Sequence, residues 1–277
     1  MEANLRQEKY SWNKIPQLTL LFWVMKITAT TLGETGGDWV AQTMNVGYAT
    51  STLIFFGFFI VVLIAQLLSK QYVPAIYWAV IVATSTAGTT MSDYMDRTLE
   101  LGYTTGSLIL VSILIVILVT WRLVEGSLSV TNVNSFRGEI FYWMAILVSN
   151  TLGTALGDFL ADDSGLGFLG SALLITAVLV IVVLLYYFTK ISRVVLFWIA
   201  FVLTRPFGAT FGDLLTKTKE KGGLDYGTKG ASLILLGLLI VLVIYETIRL
   251  KKENKRELCI IGMPGSKSFY FIFYIIT

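Results

Sequence analysis

Eight long apolar runs divide this chain, and they are of two kinds. The even-numbered runs, about 49–69, 103–122, 166–188 and 230–249, are almost purely aliphatic, as in Leu108–Val119 and Leu173–Leu185. The odd-numbered runs, about 17–38, 75–94, 138–158 and 194–213, are interrupted by polar residues at regular steps and close on an Asp. About 20 apolar residues rising 1.5 Å each cross a hydrocarbon core of roughly 30 Å. The pattern therefore predicts an all-α membrane protein of about eight transmembrane helices. Pro16 and Pro74 stand near the first turns of the first and third, where the missing N–H costs nothing.

The odd runs are copies of one another. Each ends in a segment with Asp at a fixed place, Gly five residues before it, and Gly or Ser one residue before it. The four segments are Thr31–Trp39, Thr86–Tyr94, Thr151–Phe159 and Pro206–Leu214. Their Asp residues are spaced by 55, 65 and 55 positions, so first to third and second to fourth are both 120. That spacing is the mark of a duplicated duplication, with repeats at about 17–72, 73–123, 137–189 and 192–249. Two spans per repeat make all four copies run the same way through the membrane. Parallel repeats share an axis along the membrane normal, unlike inverted ones. The expected architecture is pseudo-fourfold or nested twofold, with odd helices inside and even helices facing lipid. One polytopic domain would cover 1–250, followed by a basic tail over 251–277.

Residues four apart lie on one helix face. Stepping back from each Asp gives Thr30, Glu34, Asp38; Ser85, Thr89, Asp93; Asn150, Thr154, Asp158; and Arg205, Ala209, Asp213. Eleven of these twelve are polar, and lipid cannot satisfy such a stripe, so it must face a partner or water. Beside it run the small pairs Gly33/Gly37, Gly88/Ser92, Gly153/Gly157 and Gly208/Gly212, which let helix backbones approach closely. Lys26 and Arg205 place positive charge within the odd spans and have no counterpart in the other repeats. Glu34 and the neighbouring Asp residues are their expected counter-ions. Five acids then meet two bases, and a bound cation or protons would relieve the excess.

Composition sharpens this picture. Only 14% of residues are charged and mean hydropathy is +0.73, whereas soluble domains run near a quarter charged. With no His and a single Cys, Cys259, the chain can form no internal disulfide, no His/Cys zinc site and no His-based triad. The Gly-rich Thr31–Gly37 lacks the Lys-Ser/Thr ending of a phosphate loop, and no nucleic-acid-binding module is visible. Lys and Arg number 14 on the side of the termini against 5 on the other (Arg97, Lys217, Lys219, Lys221, Lys229), which predicts cytoplasmic termini. The Phe269–Ile276 run is too short to span and is assigned no function.

The four Gly-x-x-x-Gly/Ser-Asp segments and the Lys26…Gly33-Glu34…Asp38 arrangement resemble a bacterial family of uncharacterised membrane-anchored proteins. Its members are built from four copies of a two-span repeat of unknown function, and the resemblance covers about residues 18–250; the expected location is a bacterial inner membrane. A looser likeness to cation/proton exchangers, whose motif is Glu-x-Gly-Asp and then a basic residue, fails on spacing. Here Glu34 is followed by Thr35-Gly36-Gly37-Asp38 and then Trp39.

The expected function is transport or export of a cation through a site of Glu34, Asp38, Asp93, Asp158 and Asp213. The hydroxyls and amide of Thr30, Ser85, Thr89, Asn150 and Thr154 would line it, with Lys26 and Arg205 as charge partners. Hard oxygen ligands of this kind suit Mn²⁺, Mg²⁺, Ca²⁺, Na⁺ or protons, so any metal at the five carboxylates would be cargo. No cofactor and no enzymatic activity is expected. The partners are the bilayer and a small cation, with oligomeric state open. The alternative is a non-transporting scaffold or sensor whose charges form a structural network.

Overall fold

The computed structural model describes residues 14–261 apart from 129, 131, 132 and 134, and side chains as far as residue 253. Arg6, Lys9 and the apolar run Phe269–Ile276 lie outside the described residues. Eight long helices form: α1 (Leu20–Asp38), α2 (Tyr48–Leu68), α3 (Pro74–Asp93), α4 (Gly102–Glu125), α5 (Phe136–Asp158), α6 (Gly167–Phe188), α7 (Arg193–Thr216) and α8 (Thr228–Ile261). No strand occurs among the described residues. The Thr19 hydroxyl caps α1 and the Ser135 hydroxyl caps α5, while Pro74 opens α3. One boundary differs from expectation. α8 does not stop near residue 249 but continues through the basic cluster, because Lys, Arg and Glu are good helix formers and Arg249 pairs with Glu253 at 2.9 Å.

Six of the eight helices are long and apolar enough to cross a membrane; α1 and α3 are the others. Their polar stripes lower the average hydropathy without shortening them. In α2, α4, α6 and α8, only 17–28% of the most apolar stretch is buried, against 67% and 56% in α5 and α7. Aliphatic side chains such as Leu53, Val61, Leu108 and Leu173 stand exposed on the first group. Low exposure separates a central set, α1, α3, α5 and α7, from a peripheral set.

The central helices close into a ring: α1 packs on α3, α3 on α5, α5 on α7, and α7 on α1. Each peripheral helix packs chiefly on the central helix of the next repeat. α2 lies on α3, α4 on α5, α6 on α7, and α8 returns to α1. A repeat thus lends its second helix to its successor, and the fourth closes the circle.

The small residues set the ring's close approach, and they do so in one rotational sense. Gly33 faces Ser85 of α3, Gly88 faces Asn150 of α5, Gly153 faces Arg205 of α7, and Gly208 faces Thr30 of α1. One turn further, Gly37 meets Thr89, Gly157 meets Ala209, and Gly212 meets Glu34. The small face of each central helix therefore covers the polar stripe of the next. A methyl group on Gly33 or Gly153 would overlap Ser85 or Arg205, so these contacts fix the register.

Past their Asp residues, α1, α3 and α5 run into single π-helical turns, Trp39–Thr43, Tyr94–Thr98 and Phe159–Asp163. The chain then reverses through Gly47, Gly102 and Gly167, each with left-handed φ (82°, 70°, 67°) and nine residues beyond its Asp. In the fourth repeat the matching residue is Gly227 (φ 71°), fourteen beyond Asp213. The five extra residues there form a loop with a short 3-10 turn, Lys219–Lys221, in place of the π turn.

Candidate functional site

All twelve stripe residues are buried, none more than 4% exposed. Threonines make this affordable by bonding back into their own helices. Thr31, Thr86 and Thr151 donate to the carbonyls of Ile27, Val82 and Leu147 at 2.9–3.1 Å. Thr30 donates to the Lys26 and Ile27 carbonyls of α1 and to Thr204 of α7. The remaining polar groups sort into three layers along the ring axis.

The first is a layer of carboxylates. Lys217 Nζ bridges Asp38 (2.6 Å) and Asp213 (3.1 Å), while Arg97 bridges Asp93 through Nε (2.9 Å) and Asp158 through Nη2 (3.1 Å). Two basic residues thus tie four acids into two pairs. Gln42 adds a bond to Asp38 at 2.5 Å. Burial works against the Lys217 charge, but the Asp213 and Asp38 carboxylates outweigh it and push its pKa up. An open cleft of about 400 Å³, lined by Lys217, Thr43, Lys221, Tyr226 and Lys229, adjoins this bridge.

The second layer is centred on Arg205. Its Nη2 reaches Glu34 Oε2 of α1 (3.0 Å), Thr154 Oγ1 of α5 (2.7 Å) and Thr89 Oγ1 of α3, so one guanidinium touches the other three central helices. Lys26 lies one turn further from the Asp layer and is fully buried. It reaches no carboxylate among the described residues. Its ammonium faces Asn150 Oδ1 at 3.4 Å and the Phe201 ring at 3.9 Å. The expected acidic counter-ion is therefore present for Arg205 and absent for Lys26, because Arg205 already holds Glu34. Asn150 in turn donates to Thr84 of α3 at 3.0 Å.

The third layer is aromatic. Sixteen and fifteen residues before each Asp stand Phe22-Trp23, Tyr77-Trp78, Tyr142-Trp143 and Phe197-Trp198. The first ring of each pair meets the second ring of the next: Phe22–Trp78 at 5.7 Å, Tyr77–Trp143 at 5.5 Å, Tyr142–Trp198 at 6.5 Å and Trp23–Phe197 at 5.9 Å. The circle repeats the rotational sense of the glycine contacts. A 2.6 Å hydrogen bond joins the Tyr77 and Tyr142 hydroxyls, and Trp78 donates to Glu246 of α8 at 2.9 Å.

The residues expected to line the site are thus brought together, the four Asp residues as two bridged pairs and Glu34 one turn away on Arg205. Glu34, Asp38 and Asp213 offer oxygens within 4.8 Å of one another and are, among the described residues, a set that could hold a metal ion. Asp93 and Asp158 form a separate pair around Arg97. Ser92 turns to Asp96 at 3.2 Å. Arg97 and Lys217 escaped the sequence reading, which placed them in loops. Their signal was a shared position four residues after Asp, 120 residues apart, in the second and fourth repeats only. The aromatic pairs carried the same spacing signature as the Asp residues and were also missed.

Four segments, 21–72, 76–127, 141–192 and 196–251, match the family described as Repeat of Unknown Function (DUF347), and the chain belongs to that family. No curated protein and no solved structure matches the chain.

Proposed function

We propose that the protein is a secondary transporter or exporter of a small cation, with all eight helices spanning a bacterial inner membrane and both termini cytoplasmic. The observation that carries this reading is the charge balance of the Asp layer. Four buried carboxylates share two basic residues, so the layer is short of two positive charges when all are ionised. Buried ionisable groups in membrane helices are costly and mark ion pathways. Lys217 and Arg97 act as tethered cations that close the layer, and a cargo ion takes the place of Lys217 between Asp38 and Asp213, with Glu34 as a third ligand. Oxygen ligands favour a hard cation. The aromatic circle closes the opposite end, as alternating access requires of one gate at a time.

The test is flux in proteoliposomes across Mn²⁺, Mg²⁺, Ca²⁺, Na⁺ and quaternary amines, with and without a pH gradient. Glu34→Gln and Asp38→Asn run alongside. Flux of one cation that both variants abolish while folding normally is the expected result. No flux above empty liposomes from a folded parent overturns it. The second reading, a static scaffold, is favoured by one observation: each of the five carboxylates already has a basic partner.

A further inference from the structure

The central layer has an excess of hydrogen-bond donors and of positive charge. Its single carboxylate, Glu34, is bound by Arg205 Nη2, and Lys26 forms no ion pair among the described residues. With both bases protonated, Lys26 and Arg205 against Glu34 leave one net positive charge. Arg205 is near enough to Lys26 to repel it. Three more donors, Arg205 Nε, Arg205 Nη1 and Ser85 Oγ, are buried and make no hydrogen bond among the described residues. Ser85 and Arg205 occupy the same position in their repeats, and Lys26 lies one turn below that level.

Buried donors without acceptors are rare in native interiors, because each forfeits its hydration without return. Three of them (two guanidinium N–H groups and a hydroxyl) lie beside an ammonium whose one acceptor is the neutral amide oxygen of Asn150 at 3.4 Å, and together they call for an acceptor carrying negative charge. The charge count sets its valence: one negative charge cancels the excess left by Lys26 and Arg205 against Glu34. We propose that the layer formed by Lys26, Arg205 and Ser85 binds a single small monovalent anion, a halide or a small carboxylate. This site is separate from the Asp layer, and it stands whether or not the protein moves cations.

The experiment uses the purified full-length protein in detergent. Sodium bromide, sodium formate and sodium gluconate are exchanged at constant ionic strength and pH, and thermal unfolding is followed. Bromide or formate should raise the midpoint saturably where gluconate does not, and the two arms distinguish halide from carboxylate. Lys26→Met should remove the saturable part. Ser85→Ala should raise the half-saturating concentration at least about threefold while unfolding like the parent in gluconate, so the test survives a Lys26 variant that does not fold. Anomalous diffraction from bromide-grown crystals should place the ion beside Lys26 and Arg205. Equal midpoints in all three salts, or full saturation retained in both variants, would overturn the proposal.

Discussion

The two ends of the central ring are closed by different physics. At the carboxylate end, four Asp residues are drawn together by two basic side chains, and the contacts are few, directional and charged. At the other end, eight aromatic rings meet in a circle through dispersion and edge contacts, with one hydroxyl pair among them. Both closures use the same four helices and the same rotational sense. An ion can compete for the first but has nothing to offer the second. Under the proposed transport reading, the charged end is the one an ion would enter and the aromatic end is the base on which it is mounted.

Three substitutions would sharpen or break that contrast. The largest effect is expected from Trp143→Ala, which removes a ring only 1% exposed. Truncating a buried Trp costs about 3–5 kcal/mol. The loss should read out as a lower unfolding midpoint that is indifferent to cation concentration; a loss that cations restore would mean the two ends are not independent. Next comes Lys217→Met, which leaves Asp38 and Asp213 facing each other without their shared ammonium. In a Cys259→Ser background carrying Thr35→Cys, a membrane-impermeant thiol reagent should react about tenfold faster once the bridge is gone. Lys217→Arg should keep the slow rate. Because its partners raise the Lys217 pKa above the unfolded value, the bridge's contribution is complete below the ordinary lysine pKa and is lost only as pH rises through the higher folded value. The slow rate should therefore hold from neutral to mildly alkaline pH. The smallest effect belongs to Tyr77→Phe. It deletes one hydroxyl of the 2.6 Å pair and should cost about 0.5–1.5 kcal/mol, measured by the same unfolding assay.

Much of the fold was legible in the residue pattern because its cause is local. A stripe of polar residues at four-residue steps, flanked by glycines, can be buried only against other helices, and four copies of it require a closed arrangement. The central and peripheral sets follow directly from which runs are purely aliphatic. Charge pairing was less legible. Lys26 was expected to meet an acid, yet its nearest Asp on the same helix is twelve residues away, about 18 Å along the axis. Glu34, the closer acid, was taken by Arg205 from another helix. Arg97 and Lys217 looked like loop charges because a side chain four residues beyond a helix-ending Asp can point outward or back. In the second repeat a π turn aims it back, and in the fourth the inserted loop does.

The helices, their fourfold repetition, the burial of the polar stripes and the small faces that cover them follow from the residue pattern alone. Those features depend on periodicity and side-chain size, which a linear pattern carries in full. Which cation meets which carboxylate, which helix each repeat lends to its neighbour, and that Lys26 meets no acid among the described residues are settled by packing between helices. Such choices rest on distances of 3 Å or so between groups 50 to 180 residues apart, and helix register sets those distances. That register is fixed by glycine contacts between different helices, which exist only once the ring has closed.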